Sequence, residues 1–144
     1  RDIGADHVIN YREEDFVQAV KEATNGRGAD VIFDPVGGEV FHKSRKCIAF
    51  NGRILLIGFA GGTIPEVATN HILIKDYSLV GVHFGYFQRL FPEEAKNALL
   101  ELTEWYTKGL IKPVIYNQYA FEEVPVALEH LASRKTWGKL IVTP

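Results

Sequence analysis

Apolar residues fall along the chain in two alternating rhythms. Short continuous runs, Val31-Ile32-Phe33 and Ile54-Leu55-Leu56-Ile57, read as buried strands, because an unbroken apolar run is what a strand covered on both faces requires. Between them lie stripes at helical spacing, such as Phe16, Val17, Val20 and Ala23. The pattern predicts a short strand over His7–Asn10, a helix over Glu13–Thr24 ended by Asn25-Gly26-Arg27-Gly28, and a strand over Val31–Asp34. It then predicts a helix over Glu39–Phe50, with Val40, Cys47, Ile48 and Phe50 inward and Asn51-Gly52 as its stop. A strand over Arg53–Gly58, a loop with a short helix, and a strand over Ser78–Val82 follow. Strands alternating with helices of this length make βαβ units with right-handed crossovers. The fold class is therefore α/β, about one half of a doubly wound parallel sheet.

The character changes at Pro92. Residues Pro92–Gly109 form the strongest helical pattern, with proline and acids in the first turn and Leu99, Leu102, Trp105 and Tyr106 on one face. Mixed strand character over Lys112–Phe121, a helix over Glu122–Ser133 with Pro125 in its first turn, and a strand over Lys139–Thr143 complete the chain. Two domain segments are expected, 1–91 and 92–144. Arg1 to Gly4 reads as the closing turn of a helix whose body lies upstream, so a fragment of a larger protein is expected.

Composition narrows the function classes. The 144 residues carry a formal net charge of −2 and no basic run, which gives no bulk attraction for nucleic acid or an anionic membrane. No apolar stretch approaches the roughly 18 residues of a membrane span. One cysteine, Cys47, fits a reducing compartment and reads as a small core residue. A cytoplasmic location is expected, or a mitochondrial one in a eukaryote. The five histidines show no metal-ligand spacing, so no metal site is expected.

The candidate chemistry sits where strands stop. Three strand ends run into FDPVGG (Phe33–Gly38), IGFAGG (Ile57–Gly62) and VGVHFG (Val80–Gly85), and a fourth, INY (Ile9–Tyr11), offers an aromatic ring. Ligands of open parallel sheets bind outside the carboxyl ends of strands. Glycine there lets main chain approach a ligand that a Cβ would push away. One such glycine only makes a turn; three suit a long flat ligand such as a dinucleotide. No G-x-G-x-x-G follows a strand. Asp34 suits either a ribose hydroxyl or the cap of its own turn, the commoner use. His83 suits a ligand contact or a structural hydrogen bond. The aromatic group Tyr86, Phe87 and Phe91 suits either a substrate entrance or packing.

The ordered series IGADHVINYREEDF, GADVIFDPVGG, GRILLIGFAGG and KTWGKLIV resembles the medium-chain dehydrogenase/reductase superfamily, in its zinc-independent quinone oxidoreductase branch, over Gly4–Thr143. The resemblance implies the second half of a Rossmann domain, followed by a helix and strands of a GroES-like catalytic domain. It implies NADPH as coenzyme, with NADH left open, and hydride transfer to a quinone or an α,β-unsaturated carbonyl. Carried across by position, Tyr11 lies at the adenosine end near the 2′-phosphate, and Val36 and Gly37 lie on the adenine-ribose side. Ile57, Gly58 and Phe59 pass beneath the nicotinamide ribose, and His83, Phe84 and Gly85 reach the carboxamide edge. Lys139 is a further coenzyme contact. The resemblance also implies a homodimer paired through Ser78–Val82. An enoyl-thioester reductase of the same superfamily and a non-catalytic nucleotide-binding module stand beside this reading. No catalytic acid or base is assigned.

Overall fold

Asp15 opens the first helix by accepting the Val17 amide on its carboxylate at 3.0 Å, and helix α1 then runs Phe16–Ala23. The computed structural model describes residues 3–133 and 135–144. It separates into two units, Arg1–Leu90 and Phe91–Pro144. The expected helix end at the amino terminus rests on Arg1 and Asp2, which lie outside the described residues.

In the first unit, α1 is followed by β1 (Ala29–Asp34), α2 (Gly38–Ser44), β2 (Ile48–Leu56), α3 (Thr69–Lys75), β3 (Ser78–Gly81) and α4 (Phe84–Leu90). The strands form one parallel sheet in the order β1-β2-β3. Its core is Phe41 from α2, Ile48 and Ile54 from β2, and Tyr77 beside β3, with Ile32, Leu56, Val67, Ile72 and Leu79 packed around them. Ile54 and Phe41 are fully buried, each worth about 1.5–3 kcal/mol of transfer free energy. The other face is open: Val31 and Phe33 alternate with Ile32 on β1 and are exposed.

Three expectations in this unit are corrected. His7–Asn10 is not a strand, since no strand among the described residues pairs with it; the Asn10 carbonyl instead accepts the Glu13 and Glu14 amides, each at 2.9 Å, in a turn. The second helix ends at Ser44 rather than Phe50. Ile48 already pairs with Ala29, and Val31 next pairs with Arg53, so Ala49–Gly52 bulge out of β2 with Asn51 at φ 59°. Asn51-Gly52 thus interrupts a strand, and Phe50 points outward at 76% exposure. The segment Phe84–Leu90, expected only as an aromatic group, is a helix.

In the second unit, α5 (Pro92–Thr107) is followed by β4 (Ile115–Ala120), a 3₁₀ turn (Phe121–Glu123), α6 (Val124–Ala132) and β5 (Lys139–Thr143). Strands β4 and β5 pair in parallel. Tyr119 and His130 share a hydrogen bond of 2.8 Å between β4 and α6, and Tyr116 meets Trp137 edge to face. Helix α5 begins on Pro92 with Glu93 and Glu94 in its first turn, as expected, but Leu99, Leu102, Trp105 and Tyr106 stay exposed.

One titrating contact ties α3 to the core. Tyr77 Oη lies 3.3 Å from His71 Nδ1. Burial, then the Arg45 and Lys75 cations, hold the His71 imidazole below its ordinary value. A histidine that resists protonation when folded binds its proton more readily when unfolded, so stability is lost as pH falls below the ordinary histidine range. Melting temperatures measured between pH 7.5 and pH 5.5, roughly bracketing the histidine range, should therefore fall less steeply for His71→Gln than for the parent chain. Equal slopes would show that His71 does not contribute.

Candidate functional site

The three glycine-marked loops leave the same edge of the sheet. Asp34, the last residue of β1, lies beside Leu56, the last of β2, and Leu56 lies beside Gly81, the last of β3. All three strands are parallel, so their carboxyl ends form one rim. The ladder continues past it: Ile57 donates its amide to the Asp34 carbonyl and Val82 to that of Leu56, each at 3.0 Å.

The first two loops are locked to each other. Asp34 is buried, and its Oδ1 accepts the amides of Val36 at 2.9 Å and Gly37 at 3.0 Å. This is the turn-capping role, so Asp34 shapes the loop. Its Oδ2 is also buried and takes no donor from the described residues. The carbonyls of Pro35 and Val36 then accept the amides of Ala60 at 3.0 Å and Gly61 at 2.8 Å. Gly37 has φ 71° and ψ −155°, backbone that is essentially reserved for glycine. A Cβ there would lie 2.8 Å from Phe59 Cδ1 and 3.1 Å from the Thr63 carbonyl oxygen. Gly58 differs: the nearest atom to an added Cβ is the Pro35 oxygen at 3.5 Å, an ordinary contact.

The third loop starts α4. The His83 carbonyl accepts the amides of Tyr86 and Phe87, and its ring Nδ1 accepts the Tyr86 amide at 2.8 Å. His83 therefore caps α4, which leaves its Nε2 for other contacts. Phe84 and Phe87 stack with centroids 6.1 Å apart, and Arg89 lies over the Tyr86 ring at 4.8 Å. Gly81, Val82, His83, Phe84 and Phe87 line a mostly apolar cavity of about 380 Å³ at the rim. The sequence carried its signal in the spacing of Phe84 and Phe87 ahead of Pro92, which reads as one helical turn and a stop.

The rim thus gathers Val36, Gly37, Ile57, Gly58, Phe59, His83, Phe84 and Gly85. Tyr11 lies apart in the turn after Asn10, and no hydrogen bond or ring contact among the described residues joins it to these loops. Lys139 belongs to the second unit, where its amide donates to the Val114 carbonyl at 2.8 Å. The site can cradle an elongated ligand against bare main chain. Among the described residues no group of three or more His, Cys, Asp or Glu side chains could hold a metal ion, and no helix is long and apolar enough to cross a membrane.

A parallel sheet with ligand-ready loops on one carboxyl edge defines the dinucleotide-fold class of α/β proteins. Within it, the chain belongs to the zinc-binding dehydrogenase family, whose sequence model matches residues 3–142. The chain is 36% identical over 143 residues to a quinone oxidoreductase-like protein 2 homolog of Nematostella vectensis, covering 99% of this chain and 39% of that protein. The crystal structure of Escherichia coli quinone oxidoreductase complexed with NADPH superposes with a TM-score of 0.86 at 30% identity, over 98% of this chain and 44% of that one. A highly reducing polyketide synthase of Glarea lozoyensis is 30% identical over 142 residues, covering 98% of this chain and 6% of the synthase. The chain therefore spans about two-fifths of the length of the quinone oxidoreductase relatives. The superfamily expected from the sequence is the one found, and so is the Rossmann half.

Proposed function

We propose that the chain is the coenzyme-binding half of an NADPH-dependent oxidoreductase that passes hydride to a quinone or another α,β-unsaturated carbonyl. The observation that carries this reading is the common rim formed by the ends of β1, β2 and β3. The NADPH complex of the similar Escherichia coli enzyme supports it. The rim suits the coenzyme: Gly58 leaves main chain uncovered, and Gly37 holds its loop where a side chain would not fit. Bound NADPH supplies the hydride. The chain's own part is to hold it: Val36 and Gly37 toward adenosine, Ile57, Gly58 and Phe59 under the nicotinamide ribose, His83, Phe84 and Gly85 at the carboxamide edge. Tyr11 serves the adenosine end, and Lys139 is the outlying contact. Orientation in a dry pocket is the main demand of hydride transfer, so a signature acid–base pair is not required.

In this reading the reaction runs without zinc: hydride leaves the bound nicotinamide, and positioning it against the acceptor is the demand on the protein. A homodimer through the Ser78–Val82 region fits β3, whose second edge pairs with no strand among the described residues. Sedimentation of the full-length protein should give a dimer; a monomer would remove that part of the proposal. Similarity to a highly reducing polyketide synthase favours a second reading, an enoyl thioester as acceptor.

NADPH titrated against the full-length protein, followed by nicotinamide fluorescence, should saturate. Gly58→Ala should weaken binding about tenfold, or 1.4 kcal/mol, with an unchanged melting temperature. A flat titration would leave the non-catalytic module. Oxidation of NADPH by a simple benzoquinone, compared with a crotonyl thioester, separates the two acceptors.

A further inference from the structure

The opposite edge of the same sheet holds a second cavity, about 360 Å³, unconnected with the coenzyme reading. Gly26 and Gly28 line it just before β1, Lys46 and Cys47 just before β2, and Lys75 at the end of α3. Lys21, from the last turn of α1, completes a set of three lysines lining one space. Phe50 and Ile74 form an apolar wall. No carboxylate lines it. Arg27 also borders the cavity, but it is engaged with Asp30.

Lysines at helix carboxyl ends commonly serve the helix itself by meeting its last carbonyls. Lys75 meets carbonyls outside its own helix, donating to that of Arg45, the C-cap of α2, at 2.9 Å and reaching that of Ile48 in β2 at 3.4 Å. Lys21 and Lys46 do not: among the described residues neither makes a side-chain hydrogen bond or ion pair. Two lysines without side-chain partners therefore line the same cavity as a third that is fixed in place, and the Lys21 charge acts on Lys75. Burial, and next the Lys21 charge, hold the Lys75 ammonium below its ordinary value. Burial also pushes the Cys47 thiol up, so it brings no negative charge to offset them. An oxyanion bound among them would relieve the repulsion between Lys21 and Lys75 and gain charge-assisted hydrogen bonds.

We propose that the cavity lined by Lys21, Lys46 and Lys75 is an anion site for a phosphate-type oxyanion, on the sheet edge opposite the coenzyme rim. Its volume admits a diphosphate. The backbone amides nearby are already used, Gly26 by the Lys21 carbonyl and Gly28 by Thr24 Oγ1, so recognition rests on the ammonium groups.

The test is a pyrophosphate titration of the full-length protein, observed by NMR of its lysine side chains. Signals of Lys21, Lys46 and Lys75 should shift together, and the titration point of Lys75 should rise in the bound form. The double variant Lys21→Gln/Lys46→Gln removes exposed groups and spares Lys75, so its fold should stand. Its affinity should fall about tenfold or more. Lys43→Gln and Gly58→Ala should leave the affinity unchanged, which separates this cavity from the coenzyme rim. Unmoved lysine signals at about 10 mM pyrophosphate, a range where even millimolar sites fill, would overturn the proposal. So would equal affinity in the double variant, or loss of binding in Gly58→Ala.

Discussion

Gly37→Ala is expected to abolish saturable coenzyme binding and to destabilise the chain by about 2–4 kcal/mol. Two separate costs add. The backbone at φ 71°, ψ −155° is one that an L side chain rarely adopts. The new Cβ also meets the Phe59 ring at 2.8 Å and the Thr63 carbonyl at 3.1 Å. The ring can turn aside, but the carbonyl belongs to the loop that Gly37 is locked against. Relief comes only by parting the Asp34–Gly38 loop from the Ile57–Thr63 loop. That breaks the bonds from Ala60 and Gly61 to the carbonyls of Pro35 and Val36. The rim then loses its shape even where the sheet survives. Urea unfolding and NADPH titration on the same preparation check it. The informative comparison is Gly58→Ala, which has room for its methyl and should lose affinity alone. If Gly37→Ala kept parental stability and affinity, the two loops would not depend on each other.

Much of this was legible in the residues, for reasons that differ by element. The strands β1 and β3, and β2 from Arg53 onward, carry continuous apolar runs followed by glycine or proline, and local sequence suffices to place them. Helix α5 was equally plain, since Pro92, Glu93 and Glu94 write its start. His7–Asn10 misled because a strand is a property of a pair, and its own alternation cannot reveal that no strand among the described residues pairs with it. Ile48–Phe50 misled because an apolar run after a helix continues the stripe as readily as it begins a strand. The decision came from the partner, Ala29, which periodicity does not contain. At the site, glycines marked the rim but not how its loops are joined. That Asp34 caps its own turn was foreseeable from residue type. That His83 caps α4 was not, since α4 itself was hidden in an aromatic cluster. The basic cavity was invisible because Lys21, Lys46 and Lys75 stand far apart in sequence and come to line one cavity only through the crossovers.

Asp34→Ala is the other substitution with a large expected effect, about 2–4 kcal/mol of lost stability. The Asp34 side chain accepts two amides, and both lie in a turn pressed against neighbouring backbone. Each buried donor left without an acceptor costs about 1–3 kcal/mol. Asp34→Asn separates this cause from loss of the carboxylate as such. Asparagine keeps an oxygen where Oδ1 sits, so the Val36 and Gly37 amides retain their acceptor. It places an amide nitrogen where Oδ2 lies buried with no donor of its own. The Asn variant should therefore lose less, about 1–2 kcal/mol, and keep measurable coenzyme binding. Denaturation midpoints in the order parent, Asn, Ala, with affinities in the same order, are the expected result. An Asn variant as damaged as Ala would mean that the negative charge itself, and not the pair of turn bonds, holds the rim in position.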